Sequence, residues 1–368
     1  MQHPRRTSKA IKVGGVQIGG GAPVVIQSMT NTDTRDAAAT LAQIRELAAA
    51  GCEVVRVTVP DQVAADALPE ILSGSPLPVI ADIHFDYRLA LASIKAGIHA
   101  IRLNPGNIGS ADRVKAVAEA AGEAGIPIRV GANSGSLPKG LFQAKLASGL
   151  SHDEALADAL VEAALEQVRL LEQYSFTNLK VSLKASSVPV TVRAYRIFAG
   201  CSDHPLHLGV TEAGTAFRGA IKSAVGIGAL LLDGIGDTIR VSLSAPPVEE
   251  IRAAQAILEA AGLREAAPEL VSCPTCGRTN WDLIDMAGRV ERFIAEVKSS
   301  GKKISLRKVA VMGCAVNGPG EAADADIGIA GGNQAGELLV FKFGKPVSRL
   351  PREEAFAWLR QEILNAAK

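Results

Sequence analysis

Between residues 24 and 244, short β-branched runs alternate with longer segments in which apolar residues return every three or four positions. The strand-like runs cover residues 24–29, 53–59, 78–84, 100–104, 128–133, 179–184, 206–212 and 238–242. Each is followed by a helical pattern, such as 36–50, with Leu41, Ile44 and Leu47 on one face, or 154–174. Such alternation predicts parallel strands joined by helical crossovers, and eight repeats close a (β/α)₈ TIM barrel; an open doubly wound sheet is the competing arrangement. Upstream, residues 9–21 read as a Gly-rich hairpin that closes the bottom of the barrel. They lead into no helix, and Gly226-Ile-Gly228 follows no strand, so neither is a dinucleotide fingerprint.

After an eighth helix at 247–261 the pattern changes. Residues 263–268 read as a linker between a barrel domain (1–262) and a smaller α+β domain (269–368). The second unit is expected to hold a Cys-rich loop, a helix at 281–298, a strand at 308–312, a strand pair at 327–329 and 338–343, and a closing helix at 352–367.

Composition narrows the class. Aromatic residues are only 4%, so the core must be built from Ala, Val, Ile and Leu. A net charge of +1 without long single-sign runs argues against a nucleic-acid surface or a polybasic membrane patch. Met-Gln-His-Pro-Arg-Arg lacks the apolar stretch of a signal peptide, and the longest apolar run, 224–232, is far short of the ~20 residues that span a bilayer. Five cysteines, an odd number, do not resemble a secreted disulfide framework. A cytoplasmic protein is expected, whose clustered cysteines are metal ligands first.

Both faces of a barrel strand are buried, so a charge near a strand end is costly unless something pairs with it. This sequence carries five such cations: Arg56, Arg102, Arg129, Lys184 (after Lys180) and Arg240. Thr58, Asn104 and Ser242 follow two positions after Arg56, Arg102 and Arg240, hence on the same face, and Asp82 and His84 repeat the spacing. Aimed into the barrel mouth, five cations with few acids among them call for an anion, and guanidinium forks match phosphate oxygens. The loop Asn133-Ser-Gly-Ser136 offers amides for the same group. Structural ion pairs with helix carboxylates are the bland reading of each cation taken alone. Glu212, at the expected end of the seventh strand, is the conspicuous acid and a candidate proton donor; a salt bridge to Lys184 or Arg240 is its alternative. His84 is read as a hydrogen-bonding residue at this site rather than as the catalyst.

Cys273-Pro-Thr-Cys276-Gly is a metal knuckle that taken alone favours zinc, but no second Cys pair follows. Cys314, in Met-Gly-Cys-Ala-Val-Asn-Gly-Pro-Gly-Glu321, leaves three thiolates plus an oxygen ligand, Glu321, which suits an iron–sulfur site with a labile position. Backbone N–H groups of the loop starting at Asn317 can bond to cluster sulfides. Cys52 and Cys201 are read as ordinary thiols. A redox-silent barrel lyase or transferase with a structural zinc knuckle is the alternative.

Ser-Cys-Pro-Thr-Cys-Gly-Arg-Thr (272–279) and the segment 312–321 strongly resemble the 4-hydroxy-3-methylbut-2-enyl diphosphate synthase family of the non-mevalonate isoprenoid pathway. Ile-Gln-Ser-Met-Thr-Asn-Thr-Asp-Thr (26–34), Ala-Asp-Ile-His-Phe (81–85) and Leu-Gly-Val-Thr-Glu-Ala-Gly (208–214) look like the same family, in its shorter bacterial form. The resemblance implies two-electron reductive ring opening and dehydration of 2-C-methyl-D-erythritol 2,4-cyclodiphosphate, with flavodoxin or ferredoxin as donor. It implies a 4Fe–4S cluster held by Cys273, Cys276, Cys314 and Glu321, and a diphosphate grip by Arg56, Arg102, Arg129, Lys184 and Arg240. Asn133 and Ser242 would assist, with Glu212 near the reacting carbons. It further implies a homodimer. The short linker agrees, because it spans only about 20 Å fully extended and leaves the eighth helix at the end of the barrel away from its mouth. Each cluster would then serve the partner's barrel.

Overall fold

The computed structural model describes residues 4–265, 268–314, 320, 322–332 and 336–368. The chain divides into two compact units, Met1–Arg264 and Glu265–Lys368.

The first unit opens with the hairpin β1 (Ile11–Val13) and β2 (Val16–Ile18). Eight parallel strands follow: β3 (Val25–Met29), β4 (Val54–Thr58), β5 (Val79–Asp82), β6 (Ala100–Arg102), β7 (Ile128–Asn133), β8 (Leu179–Lys184), β9 (His207–Leu208) and β10 (Thr238–Ile239). They are hydrogen-bonded in the order β8-β7-β6-β5-β4-β3-β10-β9. A parallel bridge between Val181 and Leu206 closes the ring. Among the described residues ten α-helices follow one or another of these strands: α1 (Ala37–Ala49), α2 (Gln62–Asp66), α3 (Leu68–Gly74), α4 (Tyr87–Lys95), α5 (Ala111–Glu123), α6 (Leu141–Ala147), α7 (His152–Glu172), α8 (Val188–Cys201), α9 (Ala216–Leu232) and α10 (Pro247–Ala260).

Helix starts follow from their caps. The Asp36, Asp61 and Asp86 side chains accept from N–H groups of α1, α2 and α4, and Ser151 with Glu154 forms a full capping box on α7. The main core lies between strands and helices and is almost wholly aliphatic. Ile11, Val13 and Ile18 of the hairpin pack on Val25, Val54, Ile80 and Ala100, each the first or second residue of its strand, and so plug the bottom. Two expected strands are shorter than their β-branched runs suggested: the ladder stops at Leu208 and Ile239. Tyr195 of α8 compensates at the short β9: its buried hydroxyl accepts from the Leu183 N–H at 3.0 Å and donates to the His207 carbonyl.

The second unit is a five-stranded sheet in the order β11 (Glu269–Ser272), β12 (Lys308–Met312), β13 (Ile327–Gly331), β14 (Glu337–Lys342), β15 (Lys345–Pro351). The first three strands are parallel and the last two antiparallel. Helices α11 (Leu283–Ser299) and α12 (Arg352–Asn365) cover one face through Met286, Val290, Phe293, Leu359 and Ile363. Ala310, Met312, Ala330 and Phe341 pack with Ala322, Ala325 and Cys273 in a second cluster. β11 and β15 were not anticipated. β15 is exposed along most of its length, and its prolines mark it as an edge strand without hydrophobic alternation.

Candidate active site

The strand-end cations meet at one end of the barrel. Arg56 on β4, Arg102 ending β6, Arg129 on β7, Lys184 ending β8 and Arg240 just beyond β10 line a cavity of about 150 Å³. Asn133, Ser242 and His84 line it too, so all eight residues expected to bind substrate share one space. The lining also contains Asp82, whose spacing aimed it at the mouth, and Gly131, Ser182 and Thr211, for which no such expectation was drawn.

The expectation that few acids accompany the cations needs correction. Asp82, ending β5 and 3% exposed, meets Arg56 Nε at 3.4 Å and Arg102 Nη1 at 3.1 Å. Glu250, buried on α10, lies 3.7 Å from Arg240 Nε and accepts from the Leu243 N–H at 3.0 Å. Three of the five cations are thus paired, Arg240 with a helix carboxylate and Arg56 and Arg102 with an aspartate at a strand end. Five cations against two carboxylates still leave a formal excess of three positive charges. Arg129 donates to Ser182 Oγ at 2.7 Å, and Arg56 Nη2 meets only the Met29 thioether sulfur, at 2.9 Å, a weak acceptor. Arg129 Nε and Arg240 Nε are buried without a hydrogen-bond partner among the described residues. A buried cationic donor left unpaired is costly, and a bound oxyanion would satisfy it.

The protonation states carry the same strain. Burial, working with Arg240 and Arg102 against the pull of Asp82, lowers Arg56 to about 10. Burial pushes Lys184 well below the usual lysine range, and Arg129, Arg240, Arg56 and Arg102 push it further. Burial works to raise the Asp82 carboxyl, but Arg56, Arg102 and Arg129 outweigh it and hold it below the usual carboxylate range. Deeper in the barrel the fully buried Lys180, 3.4 Å from Gln27 Oε1, is lowered to about 7 by burial and by Arg129.

Glu212 sits differently from its expectation. It lies four residues past the end of β9 and is exposed, outside the cavity lining, although Thr211 beside it lines the cavity. Its backbone is left-handed, φ +52°, a conformation that costs a non-glycine residue about 1 kcal/mol or more. The loop that carries it is therefore held by its surroundings rather than by local preference.

Close approach decides two glycines. A Cβ at Gly131 would meet Ser182 Oγ at 2.1 Å and its carbonyl oxygen at 2.4 Å. A Cβ at Gly209 would lie 2.8 Å from the Arg240 carbonyl oxygen and 2.9 Å from Lys184 Nζ. The period-two rule applied to Lys184 would have found Ser182; Asp82 had the same spacing signal. Glu250 was out of reach, because it comes from a helix.

In the second unit, Cys273 follows β11 and Cys314 follows β12, two neighbouring parallel strands, so both thiols sit at the same sheet end. The Gly313 N–H donates to Cys273 Sγ at 3.1 Å, and Trp281 Nε1 donates to the Gly313 carbonyl at 3.1 Å. Cys276 is exposed on the intervening turn, where its N–H donates to Thr279 Oγ1 at 3.3 Å. Among the described residues no three His, Cys, Asp or Glu side chains converge as a metal site. Glu321 and Asn317 lie outside the described residues. The donor set nevertheless fits a thiolate cluster: exposed or half-buried free thiols, an amide aimed at sulfur, and at Gly313 a backbone whose missing Cβ leaves 3.3 Å to Cys273 Sγ. Cys52 is buried, its thiol pushed up to about 11 by burial, and Cys201 is exposed at the end of α8. Neither resembles a ligand.

These features define a (β/α)₈-barrel protein whose mouth is lined by under-neutralised cations, followed by a separate cysteine-bearing unit. The chain belongs to the GcpE family: the GcpE TIM-barrel domain matches residues 8–255 and the GcpE protein C-terminal domain residues 269–365. It is 51% identical over 364 residues to 4-hydroxy-3-methylbut-2-en-1-yl diphosphate synthase (flavodoxin) of Geobacillus thermodenitrificans, covering 99% of this chain and 93% of the relative. It is 54% identical over 356 residues to the protein of that name in Geobacter sulfurreducens, covering 97% of each. Among solved structures it is similar to 3-dehydroquinate dehydratase from Geobacillus kaustophilus, with TM-score 0.48 at 19% identity, covering 69% of this chain and 98% of that one. Among the described residues no helix is long and apolar enough to cross a membrane.

Proposed function

We propose that the chain converts 2-C-methyl-D-erythritol 2,4-cyclodiphosphate to 4-hydroxy-3-methylbut-2-enyl diphosphate, with electrons from a flavodoxin. The observation that carries this is the barrel mouth, a formal excess of three cations with buried guanidinium nitrogens that lack a hydrogen-bond partner among the described residues, in a chain over half identical to synthases of that name. The conversion takes in two electrons and one proton, releases one water, and opens a ring so that the diphosphate arm gains one negative charge. Arg56, Arg102, Arg129, Lys184 and Arg240 bind that arm, and the charge that develops on it falls where their field is strongest. Asn133, Ser242 and His84 orient it. To Glu212, exposed on the loop beyond β9, we assign delivery of the proton to the departing hydroxyl.

Cys273, Cys276, Cys314 and Glu321 would hold a 4Fe–4S cluster. When bound, it supplies the electrons and a Lewis-acidic iron. The short linker supports a homodimer in which each chain's cysteine unit serves its partner's barrel. Anaerobically purified protein should contain iron and acid-labile sulfide and form product from the cyclodiphosphate and reduced flavodoxin. One zinc per chain with no sulfide, and no product, would favour the redox-silent barrel lyase or transferase instead.

A further inference from the structure

The cations of the ring have three kinds of partner. Arg56 and Arg102 share Asp82, Arg240 faces Glu250, and Arg129 donates to Ser182. Lys184 Nζ instead lies 3.5 Å from Nε2 of His207, and among the described residues no carboxylate pairs with it. His207 is 0% exposed on β9, and its other nitrogen, Nδ1, is 2.7 Å from Thr238 Oγ1 on β10. Gly209, two residues on, leaves the space that the amine occupies, since a Cβ there would come within 2.9 Å of Nζ.

The histidine is held neutral. Burial, then Lys184, Arg129, Lys180 and Arg56, keep it well below its ordinary value. A neutral imidazole carries one donor and one acceptor, and a hydroxyl can serve as either. With the proton on Nδ1, the ring donates to Thr238 and Nε2 accepts from a Lys184 ammonium. With the proton on Nε2, the ring donates to a neutral Lys184 amine and Nδ1 accepts from the Thr238 hydroxyl. The pair therefore satisfies Lys184 in either protonation state without itself gaining or losing a proton.

The groups around the amine weaken its hold on a proton when the site is empty. Arg129 on β7, Arg102 on β6, Arg56 on β4 and Arg240 beyond β10 all oppose its charge; the carboxylates of Asp82 on β5 and Glu250 on α10 are engaged with arginines. The Tyr195 hydroxyl of α8 is bound to the His207 carbonyl. An arriving phosphate polyanion reverses the balance.

We propose that the Thr238–His207 pair is a positioning device for Lys184, holding its amine at the anion site in both protonation states, so that Lys184 binds one proton together with the phosphate ligand. This rests on the diphosphate reading of the barrel mouth and adds to it a proton and two residues.

The test is calorimetric binding of 2-C-methyl-D-erythritol 2,4-cyclodiphosphate to the unreduced, cluster-loaded protein at pH 8.5, in buffers of different ionisation enthalpy. Each ring phosphorus of this ligand bears a single strongly acidic hydroxyl, so proton uptake belongs to the protein. Wild type should take up about one proton per ligand. Lys184→Met should lose that uptake and bind about tenfold or more weaker. His207→Leu should lose about tenfold in affinity and most of the uptake, whereas His207→Gln, which keeps a donor and an acceptor, should stay within about threefold. In the Lys184→Met background His207→Leu should change affinity no further. If Lys184→Met binds as wild type does, the diphosphate reading of Lys184 fails. If Lys184→Met weakens binding but His207→Leu does not, or weakens it equally in both backgrounds, the diphosphate reading stands and this inference is overturned. Absence of proton uptake by wild type also overturns it. Should His207→Leu fail to fold, the isosteric Thr238→Val answers the same question with the same expected losses.

Discussion

Replacing Asp82 by Asn removes one negative charge from beneath two arginines while keeping the shape of the side chain. Asp82 is 3% exposed and touches Arg56 and Arg102 at 3.4 and 3.1 Å. Removing one partner of a buried ion pair costs roughly 3–5 kcal/mol, because the remaining charge stays uncompensated. Arg102 is 24% exposed and can turn toward water, so the lower end, about 3 kcal/mol, is expected. For a domain of this size each kcal/mol moves Tm by about 2–4 °C, giving a fall of roughly 6–12 °C. A bound polyanion replaces the missing charge, so the cyclodiphosphate should raise the Tm of Asp82→Asn by more than that of wild type. Acid should remove the difference. The folded-state pKa of Asp82 lies below its unfolded value, so its stabilisation is present above about pH 4 and is lost as pH falls through the folded value. Thermal unfolding with and without ligand, from pH 8 down to the acid limit of the fold, reads all three effects. A variant within about 2 °C of wild type at neutral pH, or one stabilised less by ligand, would refute the reasoning.

Other outcomes follow from particular contacts. Lys180 is lowered to about 7 in the fold, so below that pH both states are protonated and the folded protein carries the full penalty, which fades as pH rises from 7 toward 10. Lys180→Met should therefore raise Tm more at pH 6 than at pH 9, and an equal or opposite shift would contradict a buried charged amine. Arg240→Ala should weaken cyclodiphosphate binding by roughly 1.5–3 kcal/mol, with the cluster absorbance unchanged; collapse of stability with unaltered affinity would make Arg240 only the partner of Glu250. Gly313→Ala places a Cβ 2.6 Å from Thr279 Oγ1 and 3.3 Å from Cys273 Sγ, so iron and sulfide per chain should fall while the circular dichroism of the barrel persists. Co-expressed Cys314→Ala and Arg56→Ala chains should recover activity toward half of wild type per heterodimer, and verified but inactive heterodimers would show that each cysteine unit serves its own barrel.

Much of the site was legible because barrel strands impose a strict code. Arg56, Arg102, Arg129 and Lys184 stand out against aliphatic neighbours within their strands, and closure of the parallel barrel brings them to one cavity. The Cys273–Cys276 knuckle was legible as local spacing. Where residues left the ladder, the code lapsed. Glu212 and Ser242 were read as strand continuations, but the regular ladder ends at Leu208 and Ile239, and Glu212 is exposed in left-handed backbone. β15 was missed because an exposed edge strand has no buried face to enforce alternation.

By itself the sequence determined the eight βα units, the aliphatic core, the cations at the strand ends and the thiols of the second unit. These are properties of neighbours along the chain: hydrophobic period, caps and local spacing. Only the tertiary structure decided which cations are already neutralised and which are left for a ligand. Asp82 serves two arginines from two different strands, Glu250 reaches Arg240 from a helix, and His207 with Thr238 stands behind Lys184. Charge pairing at the mouth depends on distances across the barrel of a few ångströms, and closure of the ring, rather than order along the chain, sets those distances.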